Sequence, residues 1–184
     1  LLLDGYVYCY PCRANYLGGD IISGLVATNL TRESEICVFL DIGTNGELVV
    51  GNREFLMAGA GAAGPALEGG VVKTGMRAVE GAVSYVRLEQ GTFYLTVIGG
   101  GAPQGLCGSG IVDLIAQLYL NGLVDLRGKL IPESGKLEQR DGEWAVCYAP
   151  GLYFYQSDID AFLQTKAAAN TMVEYMLDAL GVPM

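Results

Sequence analysis

The sequence predicts an α/β fold in which an antiparallel meander of strands is flanked by helices. Three observations carry that expectation. Ile36 to Leu40 is an unbroken apolar run, as in a strand buried on both faces. Two more short strand-like runs follow, Glu47–Val50 and Phe55–Met57, divided by turns at Gly43 to Gly46 and at Gly51-Asn52. Helical spacing then appears from Ile111 to Leu120 and again from Ile159 to Leu180.

Taken in order, Leu1 to Tyr10 is apolar and aromatic with strand character, and it ends at Pro11. Gly18-Gly19-Asp20 precedes Ile21, Ile22, Leu25 and Val26, which fits a short helix with Asp20 as its N-cap. After the meander, Gly59 to Gly70 is rich in Gly and Ala and reads as a loop opening a short helix. Ala82–Leu88 and Phe93–Ile98 form a hairpin turning at Gly91. Ser109 and Gly122 bracket the next helix as N-cap and C′ residue. Leu123 to Pro150 reads as short, turn-rich and peripheral, and Tyr153-Phe154-Tyr155 as packing beneath the last helix. That helix is expected to be capped by Ser157 with Asp160 three residues on, and to stop at Gly181 and Pro183.

Composition narrows the class. Half the residues are hydrophobic (51%) and only 17% are charged, so residues 1–184 can bury a core, and one domain is expected. The net charge of -9, without a basic run, argues against nucleic acid or an anionic membrane as partner. The longest charge-free stretch, Gln90 to Val112, is broken by glycines and Pro103, so no bilayer helix is expected. Five scattered cysteines point to a reducing cytoplasm. The absence of histidine removes Ser-His and Cys-His catalysis and the commonest zinc ligand. A chain beginning at Leu1 reads as a fragment of a longer protein.

The sharpest local signal is Leu40-Asp41-Ile42-Gly43-Thr44-Asn45-Gly46-Glu47. A carboxylate at the end of a buried strand needs partners or a cation. Gly43 and Gly46 permit unusual backbone angles and direct N–H groups outward, and Thr44 and Asn45 add donors. Together they would make a concavity for an anion, with Asp41 beside it to hold magnesium or its water. From these residues alone, an ordinary Asn-Gly hairpin with a solvated Asp41 is an equal reading. Cys9 and Cys12 lack the further ligands of a zinc or iron–sulfur site, so neither is expected on this chain. Cys107 stands at a helix start without a base, so close packing is expected of it. Lys166 reads as a surface charge.

In its sequence of strands and turns the chain resembles the actin, heat-shock chaperone and sugar-kinase ATPase superfamily, with a ribonuclease-H-like mixed sheet. Gly18-Gly19-Asp20 matches its first connecting segment, and Asp41 to Gly46 its second phosphate loop. More closely, the chain resembles the C-terminal domain of the reductive activators of corrinoid proteins. The similar segments are Leu17–Ile21, Leu40–Asn52, Ala62–Gly70, Gly75–Val83, Val97–Gly100, Gly105–Leu118 and Ser157–Asn170, in one order along nearly the whole chain.

The resemblance implies ATP with magnesium as cofactor, Asp41 and Asp20 as catalytic carboxylates, and Gly43, Thr44, Asn45, Gly46 and Glu68 at the nucleotide. It implies a corrinoid protein as partner, reduced from cobalt(II) to cobalt(I), with the electron supplied by an N-terminal iron–sulfur ferredoxin domain of the same longer chain. A homodimer is left open. The upstream phosphate loop and the downstream adenosine loop are absent, so the domain is expected to be incomplete and inactive alone. A docking module without turnover and a small-metabolite kinase-like domain stand as alternatives on the same fold.

Overall fold

The structure, a computed structural model, describes residues 5–12, 17–43, 45–61 and 69–183. It divides into two compact units, Leu1–Ala62 with Ala168–Met184, and Ala63–Ala167.

The first unit holds the expected meander. Strands β1 (Cys37–Ile42), β2 (Gly46–Gly51) and β3 (Leu56–Gly61) pair antiparallel in that order, with Asp41 opposite Glu47 and Ile42 opposite Gly46. Helix α1 (Gly19–Ala27) lays Ile21 and Leu25 on one face of this sheet, against Val49 and Phe39. Gly24 is what lets α1 approach so closely, because a Cβ there would collide with the Phe39 ring. The opposite face is covered by the second half of helix α3 (Gln156–Ala179), whose Met176 and Leu177 pack on Leu48 and Val50. Met172 and Met176 also sit over Gly61 and Gly59 of β3.

Strand β1 departs from the expectation of two buried faces. Its residues alternate between half-buried and exposed, and Val38, Leu40 and Ile42 stay open to solvent. The cause is coverage: α3 lies over β2 and β3 and leaves the same face of β1 bare. Residues 5–12 form no strand, contrary to the reading of Leu1 to Tyr10, whose first four residues lie outside the described residues. Tyr6, Val7 and Tyr8 are exposed, so no apolar neighbour holds that segment extended.

The second unit is built on two further three-stranded sheets. Strands β4 (Ala82–Glu89) and β5 (Thr92–Val97) make the expected hairpin, with Gln90 and Gly91 both at positive φ as a two-residue turn of matching twist requires. The short strand β6 (Gly105–Leu106) joins β4 in parallel. Helix α2 (Gly108–Leu120) buries Ile111, Leu114 and Leu118 against this sheet. Beyond β6 the edge of β4 would carry bare N–H groups, and α2 satisfies two of them. Asp113 accepts from Val86 at 3.2 Å and Gln117 from Leu88 at 2.9 Å.

Strands β7 (Leu137–Arg140), β8 (Glu143–Ala149) and β9 (Leu152–Tyr155) form the third sheet, all antiparallel. The stretch Leu123 to Pro150 is therefore not peripheral. Leu123, Leu130, Val146 and Tyr148 belong to the same core as Leu114, with Phe154 at its centre. The missed strands had local signals in Asp141-Gly142 and Pro150-Gly151, which the structure uses as the turns before β8 and β9.

Helix ends follow the expected stops more closely than the expected starts. At Gly122 and Gly181, both at positive φ, the chain closes α2 and α3 with paired bonds from Leu123 and Gly122 and from Val182 and Gly181. At the starts, α1 begins after Gly18, with Asp20 already in its first turn, and α2 after Cys107 rather than Ser109. The extended backbone of Gly18 and of Cys107 takes the N-cap position in each. The last helix begins at Gln156, one residue before the expected cap. Asp158, not Ser157, serves its start, accepting the Tyr155 N–H at 2.9 Å.

Candidate functional site

The hairpin closing β1 on β2 gathers the proposed phosphate-binding residues. Asp41 ends β1 half-buried, and the residue directly across the ladder is Glu47, also half-buried. Side chains so paired stand on one face with Cβ atoms about 5 Å apart, and two like charges there repel. Neither carboxylate has a hydrogen-bond or ion-pair partner among the described residues. A pair of this kind is relieved by a cation between or beside its oxygens. Glu47 was named in the sequence motif but not as a site residue. Only the register, which places it opposite Asp41, makes it a candidate.

The turn itself is tight. Gly43 N–H donates to the carbonyl of Asn45 at 3.0 Å, and Gly46 is already in β2, where it is buried. Gly43 lies between the end of β1 and the start of β2, and Gly46 is the first residue of β2. Gly46 faces Gly61 across the ladder, and Met172 crowds Gly61 from above. Thr44 and Glu68, both expected at the nucleotide, lie outside the described residues.

Asp20 is exposed in the first turn of α1. Its Oδ1 accepts the N–H of Ile21 at 2.9 Å, and no hydrogen bond or ion pair among the described residues joins it to the hairpin. The structure therefore brings Asp41, Gly43, Asn45, Gly46 and Glu47 together on one turn and gives Asp20 a local bond in its own helix.

A second polar assembly, which the sequence did not reveal, holds the segment after the Gly/Ala-rich loop. Asp158 is only 1% exposed, and its two oxygens accept the N–H groups of Tyr155 and of Lys73, each at 2.9 Å. Thr74 donates to the Tyr153 carbonyl at 3.2 Å and accepts from the Tyr148 hydroxyl at 3.0 Å. Burial pushes the Tyr148 phenol up to about 12. Gly69 and Gly75 press backbone on backbone with no room for a Cβ on either. Burial likewise raises the Asp158 carboxyl, against the pull of the two N–H groups.

The sign of that shift gives a test. A raised carboxyl binds its proton more tightly in the folded chain than in the unfolded one. Its contribution to stability is therefore fully present below the unfolded value, taken as 3.8, and is lost as pH rises through the folded value. Asp158→Asn should flatten the stability profile from about pH 4 upward, read by urea denaturation across that range. Asp158→Ala should cost on the order of 3 kcal/mol at neutral pH, because two N–H groups lose their acceptor.

Cys107 is buried at the start of α2, its thiol donating to the Val83 carbonyl at 3.3 Å, which is the packing role expected of it. Cys9 and Cys12 are exposed free thiols. Anaerobically purified protein is expected to contain no stoichiometric zinc or iron by elemental analysis. Metal that disappears in Cys9→Ser would contradict that expectation. No helix among the described residues is long and apolar enough to cross a membrane.

A meander closed by an acid-bearing hairpin, with one helix on each face, defines the actin-like ATPase class of domain, known as ASKHA. The chain belongs to the family described as the C-terminal domain of RACo, the ASKHA domain, whose model matches residues 35–184. A solved structure of a "Reductive activator for corrinoid,iron-sulfur protein" superposes with a TM-score of 0.85 at 36% identity, over 98% of this chain and 31% of that one. The "Corrinoid activation enzyme RamQ" of Eubacterium limosum is 42% identical over 127 residues, 69% of this chain and 21% of that protein. The "[Co(II) methylated amine-specific corrinoid protein] reductase" of Methanosarcina barkeri is 23% identical over 189 residues, 89% of this chain and 33% of that protein. The chain thus spans a third or less of the length of these relatives.

Proposed function

We propose that this chain is the nucleotide-phosphate-binding part of an ATP-dependent reductive activator, which returns a corrinoid protein of a methyltransferase system from cobalt(II) to cobalt(I). The observation that carries this reading is the Asp41–Glu47 pair, without partners among the described residues, at the closed end of the hairpin in an ATPase-type domain. The printed names of the relatives support the corrinoid half of it.

The residues fit a magnesium-bound nucleotide. The free oxygens of Asp41 and Glu47 suit magnesium or its water, and the small turn at Gly43 leaves room for phosphate oxygens beside backbone N–H groups. Thr44 and Asn45 would add side-chain donors, and Glu68 would reach the same site from the loop that follows. Bound magnesium-ATP supplies the phosphoryl group and the charge that hold two lobes of such a domain together. Asp41 would hold the magnesium or its water, Glu47 would share its charge, and the turn would hold the phosphates.

Both units of residues 1–184 are read as parts of one ATPase domain, in a longer cytoplasmic protein whose ferredoxin domain supplies one electron per cobalt. The test is electron paramagnetic resonance of a corrinoid protein held as paramagnetic cobalt(II), mixed with the longer protein and a reductant. The cobalt(II) signal should disappear with magnesium-ATP present and persist without it. Equal loss in both samples would remove ATP from the account.

A further inference from the structure

Helix α2 turns its polar residues inward. Asp113 and Gln117, one turn apart, are held by the edge of β4, while Ile111, Leu114 and Leu118 are fully buried. Beyond Ser109 in its first turn, what α2 leaves to the outside is apolar: Val112 at 42% exposure, Ala116, Tyr119 at 47% and Leu120 at 73%. A surface helix ordinarily presents the reverse pattern to water. Facing this stripe, Phe162 and Leu163 of α3 and the 89%-exposed Leu126 complete an open groove of about 360 Å³ within the second unit.

The charges around the groove are unequal in availability. Asp125 is occupied by the N–H groups of Arg127 and Lys129, at 2.8 and 2.7 Å. Asp160 is paired with Lys129 at 2.8 Å. Lys166, the cation among the lining residues, has no ion pair among the described residues, although the whole chain carries a net charge of -9. An apolar floor with Lys166 free at its rim suits an apolar segment bordered by a carboxylate.

We infer that this groove is the surface on which the activator docks its corrinoid protein, through an apolar segment of that partner bordered by a carboxylate. The inference rests on the corrinoid reading above and adds the place of contact. Ala116 is exposed on α2, so a cysteine there reports coverage without disturbing the core.

The experiment uses the longer protein carrying Ala116→Cys, with Cys9→Ser and Cys12→Ser, and follows maleimide labelling at position 116 by peptide mass spectrometry. Labelling should be fast for the protein alone and at least about tenfold slower with saturating cobalt(II) corrinoid protein. Leu126→Glu and Lys166→Glu should each weaken corrinoid-protein binding by at least about tenfold and leave magnesium-ATP affinity unchanged. Slow labelling before any partner is added would mean that the activator's own chain covers the groove. Slowing with the activator's own concentration would assign it to a second copy. Unchanged labelling and unchanged affinity in the variants, with the corrinoid protein demonstrably bound, would also overturn the inference and leave the functional reading standing. Failure of the unaltered protein to bind any corrinoid protein by sedimentation would remove both.

Discussion

Gly43→Val should abolish magnesium-ATP binding by the longer protein while leaving its fold intact. A valine at the turn fills the space where phosphate oxygens would meet the backbone N–H groups, and at least two polar contacts are lost with it. At about 1.5 kcal/mol each, the affinity falls at least about a hundredfold. The fold should survive because Gly43 lies in the turn, after β1 has ended and before β2 begins. Its N–H bond to Asn45 is also kept. Isothermal calorimetry with magnesium-ATP, beside a thermal melt, reads both halves of the expectation. Unchanged affinity in a folded variant would move the nucleotide elsewhere.

The 184-residue chain by itself should bind magnesium-ATP at least about a hundredfold more weakly than the longer protein, with no measurable phosphate release. Actin-like ATPases hold one nucleotide through more than one phosphate hairpin and a separate adenosine loop. Among the described residues, the Asp41–Gly46 hairpin is the one proposed here to hold phosphate. Each missing polar contact removes about 1–3 kcal/mol, and phosphoryl transfer depends almost entirely on positioning and charge. Comparable affinity and turnover in the two proteins would show that the hairpin is not one partner among several.

Much of the fold was legible because its local chemistry agrees with its tertiary role. The meander, the β4–β5 hairpin and the glycine stops at Gly122 and Gly181 are each specified by a few neighbouring residues. The β7–β9 sheet was not, since Leu137 to Arg140 has no strong alternation and only its turns announce it. Helix starts were misplaced for a related reason. A polar residue near a start can serve as N-cap or as a first-turn acceptor, and Asp158 shows the second use. The buriedness of β1 depends on how far α3 reaches across the sheet, which no run of apolar residues encodes.

The candidate site divides the same way. Asp41 and the small residues after it stand out in the sequence because an acid and glycines between two strands are unusual. Glu47 becomes a candidate only once the register sets it opposite Asp41. Asp20 enters the site only through the resemblance, in which Gly18-Gly19-Asp20 matches the first connecting segment. In the structure its Oδ1 accepts the N–H of Ile21. The inward-facing Asp113 and Gln117 are invisible in the pattern of α2, since a sequence shows which residues are polar and not what they bond.

In the proposed function, nucleotide held at the Asp41–Gly46 hairpin drives reduction of a corrinoid protein. Its most direct test is the cobalt(II) paramagnetic resonance signal, followed in parallel for unaltered and Gly43→Val longer protein over a range of magnesium-ATP concentrations. The signal should fall with ATP in the unaltered protein and stay constant in the variant. An equal, ATP-dependent fall in both would contradict the assignment of the hairpin.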